Sequence, residues 1–234
     1  WAPPSEEFDG NRLIKARRTK KSQTLEEESL TIKQLIPADA LRIKGRHNAM
    51  NALAALALAN AIGLGLAPLL HGLRDYEGEP HRVQTIGIVR DVEYIDDSKG
   101  TNVGAVIAAL QGLGMTDTKY GSKKILLIAG GDGKGQDFQP LRAPILQFVK
   151  TLLVIGRDGP NIAALFDSSE LPVVTANSLE EAVQTAASLA VAGDRVLLSP
   201  ACASFDMFKN YEHRANVFAN SVEELVLSST GEPI

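Results

Sequence analysis

The sequence predicts an α/β fold: a Rossmann-like, doubly wound, mostly parallel sheet, preceded by the remnant of a second α/β domain. Three observations predict it. Short, almost wholly apolar runs such as ILLIA (125–129) and TLLVI (151–155) lack the alternation of a half-solvated strand, and so read as strands covered on both faces. Stretches with apolar residues at helical spacing separate them, for example Val103, Val106, Ile107 and Leu110, and alternating strand and helix signals mark a parallel sheet. Third, several strands end in Gly-, Asp- and Ser-rich turns, and open α/β sheets bind ligands at the carboxyl ends of their strands.

In chain order, residues 1–25 are rich in Pro, Glu and Lys with little periodicity, which predicts an exposed loop and an edge strand. Short strands are expected at 30–35 and 40–44. A helix follows over 46–62, with Gly63 as its stop, and a second over 67–76, with Pro68 in its first turn. GEPHR (78–82) breaks the pattern and predicts a linker between two domains, 1–80 and 81–234. Beyond it, strands are expected at 83–89, 92–95, 124–129, 151–155, 173–175 and 195–198, with helices at 102–113, 141–149, 160–166, 179–191 and 206–227. No repeat of fixed period is present.

Composition narrows the classes. A hydrophobic fraction of 44% with 22% charged residues is an ordinary globular balance. The net charge of −4 argues against nucleic acid as a partner, because phosphate binding needs a basic footprint. The basic cluster Lys15, Arg17, Arg18, Lys20 and Lys21 has no interleaved aromatics and reads as a solvated loop. The uncharged run from Ala49 to Leu70 is broken by Asn51, Asn60, Gly63, Gly65 and Pro68, so it reads as a buried helix and turn rather than a membrane span. The single Cys202 has no partner for an internal disulfide and no base beside it in sequence, and is expected to be a buried structural thiol. The chain begins at Trp1, so it is expected to be part of a longer product.

The richest stretch for chemistry is IDDSKGTNVG (95–104). A buried strand runs into Asp96, Asp97, Ser98, Lys99, Gly100 and Thr101, and a helix then begins. A cation, a carboxylate and a hydroxyl beside a helix N-terminus suit a ligand with phosphate and hydroxyl groups; an ordinary charged turn fits equally well. AGGDGKGQDF (129–138) follows another buried strand and presents Lys134. It is neither a Walker A loop, since Gly135 follows the lysine, nor a G-x-G-x-x-G, since position 136 is Gln. LSPACASFD (198–206) follows a third, where Ser204 either holds a carboxylate or, with Asp206, caps the last helix. Arg82 reads as a bidentate phosphate clamp or a surface ion pair, and His81 as its companion or a structural imidazole. Asn48 and Asn51, three apart on one helical face, read as a pair that meets a base edge or as a helix cap. No Ser-His-Asp order, CxxC pair or HExxH is present. Cations, amides and hydroxyls without a nucleophile point to electrostatic positioning of charged substrates.

RHNAMNALAALALA, GEPHR, YIDDSKGTNVG, GGDGKGQDF and LSPACASFDMFKNYEHR, in this order and spacing, resemble the Mur ligase family from about residue 40 onward. DSKGTN and SPACASFD resemble its D-glutamate-adding branch in particular. The resemblance implies that 1–80 is the tail of a central ATPase domain and 81–234 the C-terminal domain that brings the amino acid and closes over ATP. It implies a ligase of bacterial cytoplasmic peptidoglycan synthesis, monomeric, with no nucleic acid or membrane partner. ATP with Mg2+ converts the carboxylate of UDP-N-acetylmuramoyl-L-alanine to an acyl phosphate, which D-glutamate attacks. Carried over by motif, Asn48 and Asn51 meet the adenine, and His81, Arg82 and Asp97 the ribose and phosphates. Lys99 neutralises charge at the transferring phosphate. Thr101, Lys134, Ser204, Phe205 and Tyr211 form the D-glutamate pocket, with Tyr211 where some relatives have phenylalanine. The family's Walker A loop and its metal ligands would precede Trp1, so this chain alone is expected to be inactive. A sister ligase, including the folylpolyglutamate type, and a non-catalytic nucleotide-binding module are the alternatives.

Overall fold

The computed structural model describes residues 12–18, 30–43, 46–118 and 123–230. They fall into two compact units, Trp1–Gly78 and Glu79–Ile234.

In the first unit, β1 (Arg12–Arg18) pairs antiparallel with β2 (Leu30–Pro37), Arg18 opposite Leu30. Two helices follow, α1 (Arg46–Ala61) and α2 (Leu66–Asp75). The strand expected over 40–44 is absent among the described residues there: a 3-10 turn at Ala38–Ala40 runs into bends at 41–43. Pro37 ends β2 because it has no N–H for a ladder, and the chain then turns Leu41 inward, 1% exposed, against Ala52 and Leu53 of α1.

The second unit holds β3 (Gln84–Val89), β4 (Val92–Asp96), α3 (Val103–Thr118), β5 (Ile125–Gly130), α4 (Arg142–Phe148), β6 (Val149–Ile155), α5 (Gly159–Ala163), β7 (Val173–Thr175), α6 (Leu179–Leu189), β8 (Arg195–Leu198) and α7 (Tyr211–Thr230). One six-stranded sheet runs β3-β4-β8-β5-β6-β7. Only β3 is antiparallel to its neighbour, being joined to β4 by a tight turn through Arg90 and Asp91, both at positive φ.

The all-apolar strands bury residues on both faces. Leu127, Ala129, Leu152 and Val154 pack with Val106, Leu110, Ile145 and Ile162 of α3, α4 and α5. Their alternates Leu126, Ile128, Leu153 and Ile155 pack with Leu179, Val183, Phe218 and Val222 of α6 and α7. The result is a three-layer doubly wound sheet, as predicted.

The strand order fixes where a site belongs. From β5 the chain steps outward to β6 and β7, then returns through α6 to β8 on the other side of β5. The connections diverge between β5 and β8, which leaves a crevice at their carboxyl ends. The loops after β4, β5 and β8 meet there.

Helix boundaries differ from expectation by five residues at two places: α3 runs on to Thr118 rather than 113, and the last helix starts late. The last helix was predicted over 206–227 but begins at Tyr211. Ser204 and Asp206 therefore do not cap it. Asn210 does, its Oδ1 accepting the His213 N–H at 2.7 Å. Residues 204–208 form a separate turn, in which the Ser204 carbonyl accepts the Met207 and Phe208 N–H groups at 3.1 and 2.7 Å.

Candidate active site

Three loops make the sheet edge. After β4, the Asp97 N–H donates to the Leu198 carbonyl at 2.8 Å, and the Ala201 N–H of the β8 loop donates to the Gly100 carbonyl at 2.9 Å. After β5, Asp132 and Ala203 exchange a pair of backbone bonds at 3.0 and 2.8 Å, so the β5 and β8 loops are also paired. Asn102 caps α3, its Oδ1 accepting the Ala105 N–H at 2.9 Å.

At the first of two clusters, His81 Nδ1 lies 2.7 Å from Asp96 Oδ2, while Ser98 donates to Asp96 Oδ1 through both N–H and hydroxyl at 2.9 and 2.6 Å. The Lys99 N–H donates to the His81 carbonyl at 3.1 Å. Lys99 Nζ stands 5.5 Å from the Tyr211 ring centroid, and the His81 ring meets Tyr211 edge-on at 6.0 Å. His81 and Val83 both hold positive φ, at 64° and 48°, a left-handed backbone that is strained for the β-branched Val83. Arg82 between them is exposed.

Asp97 lies behind this cluster, 5% exposed, with Oδ2 accepting the Ser199 hydroxyl at 2.6 Å. Burial pushes its carboxyl up to about 6, with the Ser199 hydrogen bond opposing the rise. A raised carboxyl binds its proton more tightly folded than unfolded, so this group makes stability fall as pH rises from about 4 to about 6. We expect carbon-detected NMR of the Asp97 carboxyl to give a midpoint near 6, and the Ser199→Ala variant to titrate higher. A midpoint near 4 in the parent would contradict the burial argument.

The second cluster is built on the β5 loop. Lys134 holds φ 52° and its N–H donates to Asp132 Oδ1 at 3.0 Å. Its Nζ stands 5.6 Å from the ring centroid of Phe205, which is 66% exposed. A lysine over an aromatic face is held in place without losing its charge to a carboxylate. Ser204 is buried beside them in the chain, 3% exposed.

Of the residues singled out in sequence, His81, Asp97, Lys99, Thr101, Lys134, Ser204, Phe205 and Tyr211 thus come to one sheet edge. Tyr211 sits with Lys99 and His81, whereas Phe205 sits with Lys134. Asn48 and Asn51 stand on the first turns of α1, in the other unit. Sequence reasoning missed Arg214. Its guanidinium is fully buried and donates to the Ser98 carbonyl at 2.8 Å and the Cys202 carbonyl at 3.1 Å. Burial pulls it down to about 10, so it stays charged at neutral pH. No pattern marks it, because its partners are distant in sequence. Cys202 is buried as expected, and burial pushes its thiol up to about 12, which leaves no thiolate nucleophile at neutral pH.

The Mur ligase, glutamate ligase domain family model matches residues 81–202, which span the sheet and all three loops up to Cys202. The chain belongs to the Mur ligase family. Among curated Mur ligases, the UDP-N-acetylmuramoylalanine--D-glutamate ligase of Ralstonia nicotianae is 58% identical over 221 residues, covering 94% of this chain and 43% of the relative. The enzyme of the same name from Paraburkholderia xenovorans is 52% identical over 225 residues, covering 96% and 43%. The chain therefore spans less than half the length of these Mur ligases. Two solved structures share its fold. The UDP-N-acetylmuramate-alanine ligase MurC of Thermotoga maritima superposes with a TM-score of 0.59 at 20% identity, covering 79% of this chain and 39% of that one. The Mycobacterium tuberculosis folylpolyglutamate synthase complexed with ADP gives 0.57 at 18%, covering 76% and 41%. No helix among the described residues is long and apolar enough to cross a membrane.

Proposed function

We propose that this chain is the amino-acid-delivering part of an ATP-dependent, amide-forming ligase that adds D-glutamate to UDP-N-acetylmuramoyl-L-alanine in the bacterial cytoplasm. Residues 1–80 are then the end of its ATPase domain and 81–234 the domain that closes over the nucleotide, the whole acting as a monomer. The observation that carries the reading is the pair of separately held cations, Lys99 against Tyr211 and Lys134 against Phe205, on adjoining loops of one sheet edge. Two fixed cations match a reaction with two anionic partners, a transferring phosphate and a dicarboxylic amino acid. Relatives at 52–58% identity whose names state this activity support the same substrate.

Activation of a carboxylate as its acyl phosphate, followed by amine attack, asks for positioning and charge neutralisation rather than a protein nucleophile. Lys99 is the catalytic cation, placed to offset charge on the phosphoryl oxygens. Arg82, with its planar fork of donors, suits the nucleotide phosphates, and His81, held by Asp96, and the buried Asp97 shape the ribose side. Asn48 and Asn51 are assigned to adenine. Lys134 and Thr101 hold the side-chain carboxylate of D-glutamate, and Ser204 with its neighbours the other, while the aromatic faces of Phe205 and Tyr211 wall the pocket. ATP fits this donor set. Among the described residues no three His, Cys, Asp or Glu gather closely enough to hold a metal ion, and the magnesium ligands are assigned to the part of the ligase that this chain does not span.

The test is a chimera in which this chain replaces the matching part of the Ralstonia nicotianae enzyme. It is expected to release phosphate with D-glutamate and much less with L-glutamate, and Lys134→Ala is expected to raise the D-glutamate KM at least tenfold. A folded chimera that prefers another amino acid would overturn the assignment in favour of a sister ligase.

A further inference from the structure

The loops proposed to hold D-glutamate come from three distant parts of the chain, and one side chain touches all three. Gln136 Oε1 accepts the N–H of Val103, the first residue of α3, at 3.1 Å. Its Nε2 donates to the Ala201 carbonyl at 2.7 Å and to the Gly133 carbonyl at 3.1 Å. A primary amide has two N–H donors and a carbonyl acceptor, and here both hydrogens and the oxygen are used, each on the backbone of a different loop. The Val103 N–H is one of the groups that the start of a helix leaves without an internal partner, so Gln136 completes the cap that Asn102 begins. The Ala201 carbonyl belongs to a residue at φ 60° whose N–H is already given to Gly100. No other residue type supplies an acceptor and two donors at this reach in a neutral group.

We propose that Gln136 is a positioning residue that sets the mutual spacing of the loops bearing Thr101, Lys134 and Ser204, and so the stereochemical choice of the pocket they form. The pocket's occupant rests on the function proposed above; the coupling of the loops does not. Lys134 lies two residues before Gln136, Thr101 two residues before Val103, and Ser204 three after Ala201. Each reach from the shared amide to a ligand-facing group is therefore short and stiff. Without the amide, the three loops keep their strands but lose their common reference point.

The experiment is NMR on this chain in three forms: parent, Gln136→Ala and Gln136→Glu. Without ligand, Gln136→Ala is expected to shift backbone amides at both 101–103 and 201–204. Gln136→Glu keeps an acceptor for Val103 but offers no donor at neutral pH, so it is expected to spare 101–103 and disturb 201–204. Shifts confined to 133–137 in both variants would overturn the coupling. With D- and L-glutamate added, Gln136→Ala is expected to weaken D-glutamate binding about tenfold, as follows when displaced loops lose one or two hydrogen bonds to the ligand, and to narrow the preference for D over L. A variant with shifted loops but unaltered affinity and preference would overturn the positioning role, since general loosening lowers melting temperature without choosing between enantiomers. A parent chain that ignores D-glutamate while its ligand-free loops respond as described would overturn the substrate assignment and leave the coupling standing.

Discussion

Replacing Gly130 by alanine is expected to lower the melting temperature by about 10 °C or more. Gly130 ends β5 with φ at 124°, which an L side chain rarely adopts, and an added methyl would land on the Ile155 carbonyl oxygen across the sheet. That oxygen is backbone in a paired strand and has no rotamer to yield with. Retreat the other way is closed, because the Gly130 N–H is bonded to the Pro200 carbonyl at 2.8 Å. Backbone strain of about 1–3 kcal/mol and overpacking of about 1–3 kcal/mol together give roughly 4 kcal/mol, and each kcal/mol lowers the melting temperature by about 2–4 °C at this size. Gly135, at φ 74° with open space around its Cβ position, is the control: alanine there should cost only about 1–2 kcal/mol, the left-handed backbone alone. Thermal melts of the two variants side by side check the difference, and equal melts would contradict the close approach at Gly130.

Arg214→Ala is expected to cost about 3–5 kcal/mol, because two buried carbonyls left without donors cost about 1–3 kcal/mol each and truncating a fully buried side chain adds a cavity. Two carbonyls, of Ser98 and Cys202, would lose their donors in a site that water does not reach, and the side chain would leave a cavity beneath the Lys99 loop. Arg214→Lys should recover little, because one ammonium cannot span two carbonyls that the guanidinium reaches with separate nitrogens. Urea unfolding followed by circular dichroism measures both variants. A lysine variant as stable as the parent would show that the charge matters and the fork does not.

Much of the fold was legible because its strands are extreme. Runs such as 125–129 and 151–155 hold at most one polar residue, Thr151, too little to give a solvent face, and each is a strand with residues buried on both sides. The errors arose where local pattern competed with long-range contacts. Residues 205–210 carry Phe205, Met207 and Phe208 at spacings a helix would use, yet the chain makes one turn there and restarts at Tyr211, because Asn210 supplies the cap. The strand expected at 40–44 was lost for the same reason: Leu41 is drawn into a core with α1. In the site, Lys99 and Lys134 were visible as charges in glycine-bearing turns just after buried strands. Arg214 was not, because in sequence it is one charge in a polar helix start, while its partner Ser98 lies 116 residues away. In sequence Gln136 stands out only as the residue that spoils a glycine motif, since its partners lie 33 and 65 residues away.

On the function proposed here, the loops after β4, β5 and β8 form one pocket for D-glutamate. A titration of this chain with D-glutamate, followed by amide NMR with L-glutamate and Lys134→Ala as controls, tests it most directly. Thr101, Lys134 and Ser204 are expected to shift together, with D-glutamate far more than with L-glutamate, and the Lys134→Ala variant is expected to lose the response. Equal shifts with both enantiomers, or a parent chain in which these three residues do not respond, would contradict it.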